Sequence, residues 1–114
     1  MKERYIVTLE GVRLTPRSGV PTSRDIAVNH ARTPMFGGHT NLFYSVAHHC
    51  LAAAELAQEA RLPEHGSFAV ALFTLLHEAE VVAYGDIPGP VKLPEQRVVE
   101  ADFRARLFEQ HGTP

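Results

Sequence analysis

The chain has 114 residues, 45% of them hydrophobic and 21% charged, with 11 basic side chains against 13 acidic ones and a formal net charge of −2. A chain of this length supports one core and not two, so residues 1–114 read as a single domain. The near-neutral balance removes the basic footprint of a binder of extended nucleic acid, and the lone Cys50 allows no internal disulfide. No apolar run approaches the roughly 18 to 20 residues needed to cross a bilayer. The start Met1-Lys2-Glu3-Arg4-Tyr5 leads into an alternating segment and not an apolar signal core, so a cytoplasmic protein with no membrane partner is expected. Seven histidines in a chain without tryptophan are the unusual count, because histidine is the commonest metal ligand and acid/base group near neutral pH.

Tyr5 to Leu14 alternates about Glu10-Gly11, which predicts a short β-hairpin. Thr15 to Thr22 is rich in Pro, Ser and Gly and reads as a loop. Ser23 is the expected cap of a brief helix through Ala31, with Pro34 and Gly37-Gly38 breaking the chain after it. From Asn41 to about Ala60, the residues Leu42, Val46, Ala53 and Leu56 form one stripe of an amphipathic helix that also holds His49, while His48 falls on the polar face. A connector follows from Arg61 to Gly66. Ser67 is the expected cap of a second long helix, apolar nearly all round through Leu76 and hence read as central, which runs on into His77-Glu78-Ala79-Glu80. Pro94 opens a third helix with Val98, Ala101, Ala105 and Phe108 on its apolar side, and Gly112 stops it.

His77-Glu78 at the end of the most apolar helix is the most informative feature, because a buried carboxylate beside an imidazole needs a partner or a cation. A divalent metal held by His49, His77 and Glu78 meets that need and leaves open positions for water and substrate. Each residue taken alone has a plainer explanation: a core histidine at position 49, and a helix end emerging into solvent at 77 and 78. The zincin protease pattern is excluded, since its second histidine would fall on Val81. His39, after two glycines and before the first long helix, suits an anion such as phosphate at a helix N-terminus; otherwise it is an exposed turn residue. Asp86, between Gly85 and Ile87-Pro88, is a turn former unless a metal lies nearby. Cys50 reads as packing, and His30, His65 and His111 carry no assigned role.

The segments Phe36-Gly37-Gly38-His39-Thr40, Phe43-Tyr44-Ser45-Val46-Ala47-His48-His49, Leu75-Leu76-His77-Glu78-Ala79 and Gly85-Asp86-Ile87-Pro88-Gly89-Pro90-Val91-Lys92 resemble, in order and spacing, the HD-domain phosphohydrolases. The branch they look most like is that of small bacterial and phage proteins similar to 5′-deoxynucleotidases. The resemblance implies an all-α, HD-domain-like helical bundle with a short N-terminal β-hairpin. It implies a divalent ion (Mn, Mg, Co, Ni, Fe or Zn) held by His49, His77 and Glu78, and a small phosphorylated substrate, a nucleotide in that family's pattern, with His39 and Asp86 lining its pocket. This chain has His-Glu where the family has His-Asp, and Val81 where related nucleotidases carry a second glutamate; Glu80, one place earlier, would be turned by roughly 100° on a helix. Glu80 and Asp86 are the catalytic candidates on this reading, with Glu80 in reserve. The family's last metal-binding Asp comes from a later helix, and Asp102 is not its match. The expectation is a metal-dependent phosphohydrolase; the alternative is a non-catalytic nucleotide- or phosphate-binding module, or one that associates with its own copies as a homo-oligomer.

Overall fold

The alternating N-terminus pairs as a hairpin in the computed structural model, which describes residues 4–60 and 67–111. Strands β1 (Ile6–Val7) and β2 (Arg13–Leu14) are antiparallel, with Ile6 opposite Leu14 and Val7 opposite Arg13. The alternation buries little: Ile6, Val7 and Leu9 are exposed, Leu14 enters the core and Val12 packs against it half-buried. The hairpin is tied down through one carboxylate instead. Asp25 accepts the Glu10 N–H at 2.9 Å on one oxygen and the Thr22 N–H at 3.1 Å on the other, while Thr22 Oγ1 accepts the Asp25 N–H at 3.0 Å. That reciprocal pair is a capping box, so helix α1 (Ser23–Arg32) is capped by Thr22 and not by the expected Ser23.

After α1, a short 3-10 turn at Met35–Gly38 opens a loop whose base is closed by the Met35 N–H on the Tyr44 carbonyl and the Val46 N–H on the Thr33 carbonyl. Helix α2 (Val46–Ala60) therefore starts later than Asn41, where Ser45 Oγ accepts the His48 N–H at 3.0 Å. Leu42 thus lies before the helix and is exposed, and within it Val46 and Cys50 are buried whereas Leu56 is exposed. Helix α3 (Ser67–Leu76) packs on α2 but is not enclosed, since Ala71 is buried and Phe73 stays 45% exposed. The connector at residues 61–66, the Ser67 side chain and Gly112 lie outside the described residues.

The chain leaves the helix after Leu76. His77 to Glu80 form a turn closed by i to i−3 bonds such as Ala79 N–H to the Leu76 carbonyl at 3.0 Å, and helix α4 (Val81–Tyr84) follows, ended by Gly85 at φ 75°. Helix α5 (Pro94–Gln110) begins with its proline in the first turn as expected, but its buried face is Glu100, Phe103 and Leu107. Val98 is 70% exposed and does not belong to the core. Two apolar clusters result: Leu14, Ile26, Ala79, Val82, Phe103 and Leu107 in one, and Met35, Val46, Cys50 and Val81 in the other. The protein is thus mostly helical with a two-stranded hairpin, and no helix among the described residues is long and apolar enough to cross a membrane.

Burial pushes the Asp25 carboxyl up, but hydrogen bonds from Thr8, the Glu10 and Thr22 N–H groups and Thr22 outweigh it and hold the acid below its ordinary value of 3.8. Its stabilisation is therefore complete above that value and fades as the pH falls through the lower folded value. We expect Asp25→Ala to cost about 2 kcal/mol at neutral pH, through the lost cap and the stranded hairpin N–H. In urea titrations the gap between wild type and variant should narrow at low pH.

Candidate metal centre

Three side chains from two neighbouring elements converge where the sequence placed them. His49 projects from α2, and His77 and Glu78 from the turn after α3; one ligand atom of each lies within 4.8 Å of the others. Glu78 Oε1 is 3.2 Å from His77 Nε2 and 3.7 Å from His49 Nε2, and the two rings stand 5.3 Å apart. The position of His49 follows from its neighbour. Cys50 is buried against Val46 and Val81, which turns the preceding residue toward α3, and burial pushes the Cys50 thiol up to about 12, so it packs and does not react.

Two contacts behind the cluster orient it. The His77 Nδ1 faces the Thr74 carbonyl, which accepts its proton, so Nε2, on Glu78 in the unliganded pair, is the nitrogen that would give up its proton to an ion. His30, which the sequence left without a role, is 3% exposed, and its Nε2 lies 3.1 Å from the Glu78 backbone carbonyl. Burial lowers the His30 pKa, so the ring is neutral and donates that proton. The hydrogen bond from His77 to the Glu78 carboxylate raises the histidine and lowers the acid, so the unliganded pair is mutually charge-stabilised. Two imidazole nitrogens and one carboxylate oxygen, all half-buried and within one ion's reach, are a donor set that fits a divalent transition metal.

The cluster opens on a cavity of about 460 Å³ whose lining includes His77, Glu78, Glu80, Asp86, Lys92 and Arg104. Glu80 is buried: one oxygen pairs with Arg104 Nη1 at 3.0 Å, and Oε2 has no partner among the described residues. Burial raises its pKa, opposed by the Arg104 guanidinium. The rotation argued for Glu80 on a continuous helix does not apply, because residues 77 to 80 are a turn. Asp86 lines the cavity and accepts the Gly37 N–H at 3.4 Å, joining its own loop to the Met35–Gly38 turn. His39 is exposed, is not part of the cavity lining, and precedes α2 by several residues, so it does not occupy the helix N-terminus expected of it. Lys92 was not singled out in the sequence; its Nζ is 2.8 Å from the buried Glu100. Arg104, on α5, was likewise not singled out in the sequence.

No family model matches the chain. It is similar to the uncharacterized protein YfdR of Escherichia coli (strain K12), with 34% identity over 92 residues, 79% of this chain and 47% of that protein. The chain therefore spans about half the length of this curated relative.

His30→Ala tests the support behind the cluster. It strands the Glu78 carbonyl and lets the turn shift, so the affinity for Mn²⁺ or Zn²⁺ should fall about tenfold in competition with a chelator, with the ligand atoms all present.

Proposed function

We propose that this chain is a metal-dependent phosphohydrolase acting on a phosphate ester of a nucleotide or a related small molecule. The observation that carries the reading is the convergence of His49 with His77 and Glu78, the latter two at the wall of a cavity that Lys92 and Arg104 also line. The four sequence blocks resembling the HD-domain phosphohydrolases support it independently, since they hold these same three residues.

His49 and His77 would hold the ion through Nε2, and Glu78 through Oε1. A divalent ion bound there polarises phosphoryl oxygens and brings the pKa of water toward neutrality. The remaining work falls to the chain. Thr74 and His30 keep His77 and Glu78 in place through a side-chain and a backbone hydrogen bond. Arg104 uses one nitrogen on Glu80, and Lys92 one proton on Glu100, so each cation keeps N–H groups for the oxygens of an anion. Asp86 holds the two loops at the cavity mouth together.

The non-catalytic reading is favoured by one specific observation. Glu80 and Asp86, the two acids available for proton transfer, are engaged by Arg104 and by the Gly37 N–H respectively. Elemental analysis and phosphate release separate the readings. For the phosphohydrolase, wild-type protein retains a divalent ion near stoichiometry and releases phosphate from nucleoside monophosphates, and His77→Ala and Glu78→Gln lose both while staying folded. Metal and nucleotide binding without release supports the binding module, and failure to take up any divalent ion rejects both.

A further inference from the structure

Phe36 is the one non-glycine residue in the described chain with a positive φ, at 57° and ψ 30°. A bulky side chain in that region is a steric outlier, and such strain persists only where the surroundings over-determine it. Here they do. The loop base is closed by the two backbone bonds between residues 33–35 and 44–46, and Asp86 takes the next N–H, that of Gly37. Burial does not explain the conformation, because Phe36 is 52% exposed. Its ring is stacked toward Tyr44 at 6.4 Å and 19°, which keeps the side chain upright and leaves half of its surface open.

That ring lines the same cavity as His77, Glu78, Lys92 and Arg104. So does Phe73, whose 45% exposure on α3 is equally costly for an aromatic side chain in water. The lining is therefore divided: charged groups around the metal cluster, and Met35, Phe36, Phe73, Ile87 and Pro88 as an apolar remainder. A bare phosphate satisfies only the first part. At about 460 Å³ the space lies within the range of small-ligand pockets and accommodates more than the anion.

We infer that Phe36, with Phe73, forms an aromatic platform that stacks the nucleobase of a nucleoside monophosphate whose phosphate lies at the His49, His77 and Glu78 cluster. This rests on the phosphohydrolase or phosphate-binding reading of that cluster and adds the part of the ligand that the cluster does not touch. Stacking on an aromatic face is indifferent to base identity, so the platform selects nucleotides over phosphates that carry no base, without choosing among bases. Phe36 is a specificity residue on this account.

The test compares manganese-loaded wild type, Phe36→Asn and Phe36→Tyr with adenosine 5′-monophosphate and with ribose 5-phosphate. The readout is the ratio of kcat/KM for the two ligands, or of Kd if neither is turned over. Wild type should prefer the nucleotide by roughly tenfold or more. Phe36→Asn should bring the ratio near unity by weakening the nucleotide alone, and Phe36→Tyr should restore it. Because asparagine tolerates the left-handed backbone, Phe36→Asn should also melt no lower than wild type. A nucleotide preference that survives Phe36→Asn, or equal use of the two ligands by wild type, overturns the platform and leaves the metal-centre reading standing. A Phe36→Asn variant that melts several degrees lower also overturns it, since the ring would then be structural packing. Failure of the loaded wild type to bind either ligand overturns both.

Discussion

Ala79 and Val81 are almost fully buried in two different apolar clusters, with Glu80 between them, and the turn that the chain makes after Leu76 carries both. Ala79 must reach Leu14, Ile26 and Phe103, while Val81 must reach Met35, Val46 and Cys50. A continued helix would place residues two apart about 200° around its axis, and the tight turn meets the same demand with the intervening backbone bonds satisfied. His77 and Glu78 stand at the start of that turn. Their orientation is a by-product of hydrophobic burial just downstream, and His49 is set by the same cluster through Cys50. The candidate metal centre is built on the seam between the two cores.

Around this seam the carboxylates are disposed so that each buried one has a named partner. Glu78 faces two imidazoles, Glu80 takes Arg104, Glu100 takes Lys92, and Asp25 takes backbone N–H groups of the hairpin and the α1 cap. An unpaired ion in such places would cost several kcal/mol, so these pairings are conditions of folding before they are properties of a site. They also place two cations at the cavity beside the cluster. Helix α5 contributes Arg104 from the side of its core-facing residues Glu100 and Phe103 and so completes the charged wall from a distant part of the chain.

The loop from Met35 to Tyr44 connects to the same seam. Met35 is buried with Val46 and Val81, which leaves the next residue, Phe36, at the cavity mouth in a strained backbone, and the hydrogen bond from Gly37 to Asp86 spans the two loops. Met35, Cys50 and Val81 are thus three apolar anchors, each adjacent or near to a residue that lines the cavity or could ligate an ion there.

Much was legible in the sequence because it depends on local chemistry. The hairpin follows from alternation about Glu10-Gly11, the start of α5 from Pro94, the stop after Tyr84 from Gly85, and the candidate ligands from histidines beside a carboxylate in an apolar setting. The buried faces were not legible. On α5 the apolar spacing pointed to Val98, Ala101, Ala105 and Phe108, of which Phe108 alone packs against the core; the core-facing side carries Glu100, and a charged residue is admitted there because Lys92, eight positions earlier, is folded back onto it. His30 carried no role in the sequence, yet it is buried, with its ring on the Glu78 carbonyl 48 residues away. The sequence by itself determined which groups had the chemistry to hold a cation. Only the tertiary structure decided which of them meet, because convergence depends on long-range burial and pairing that no local spacing encodes.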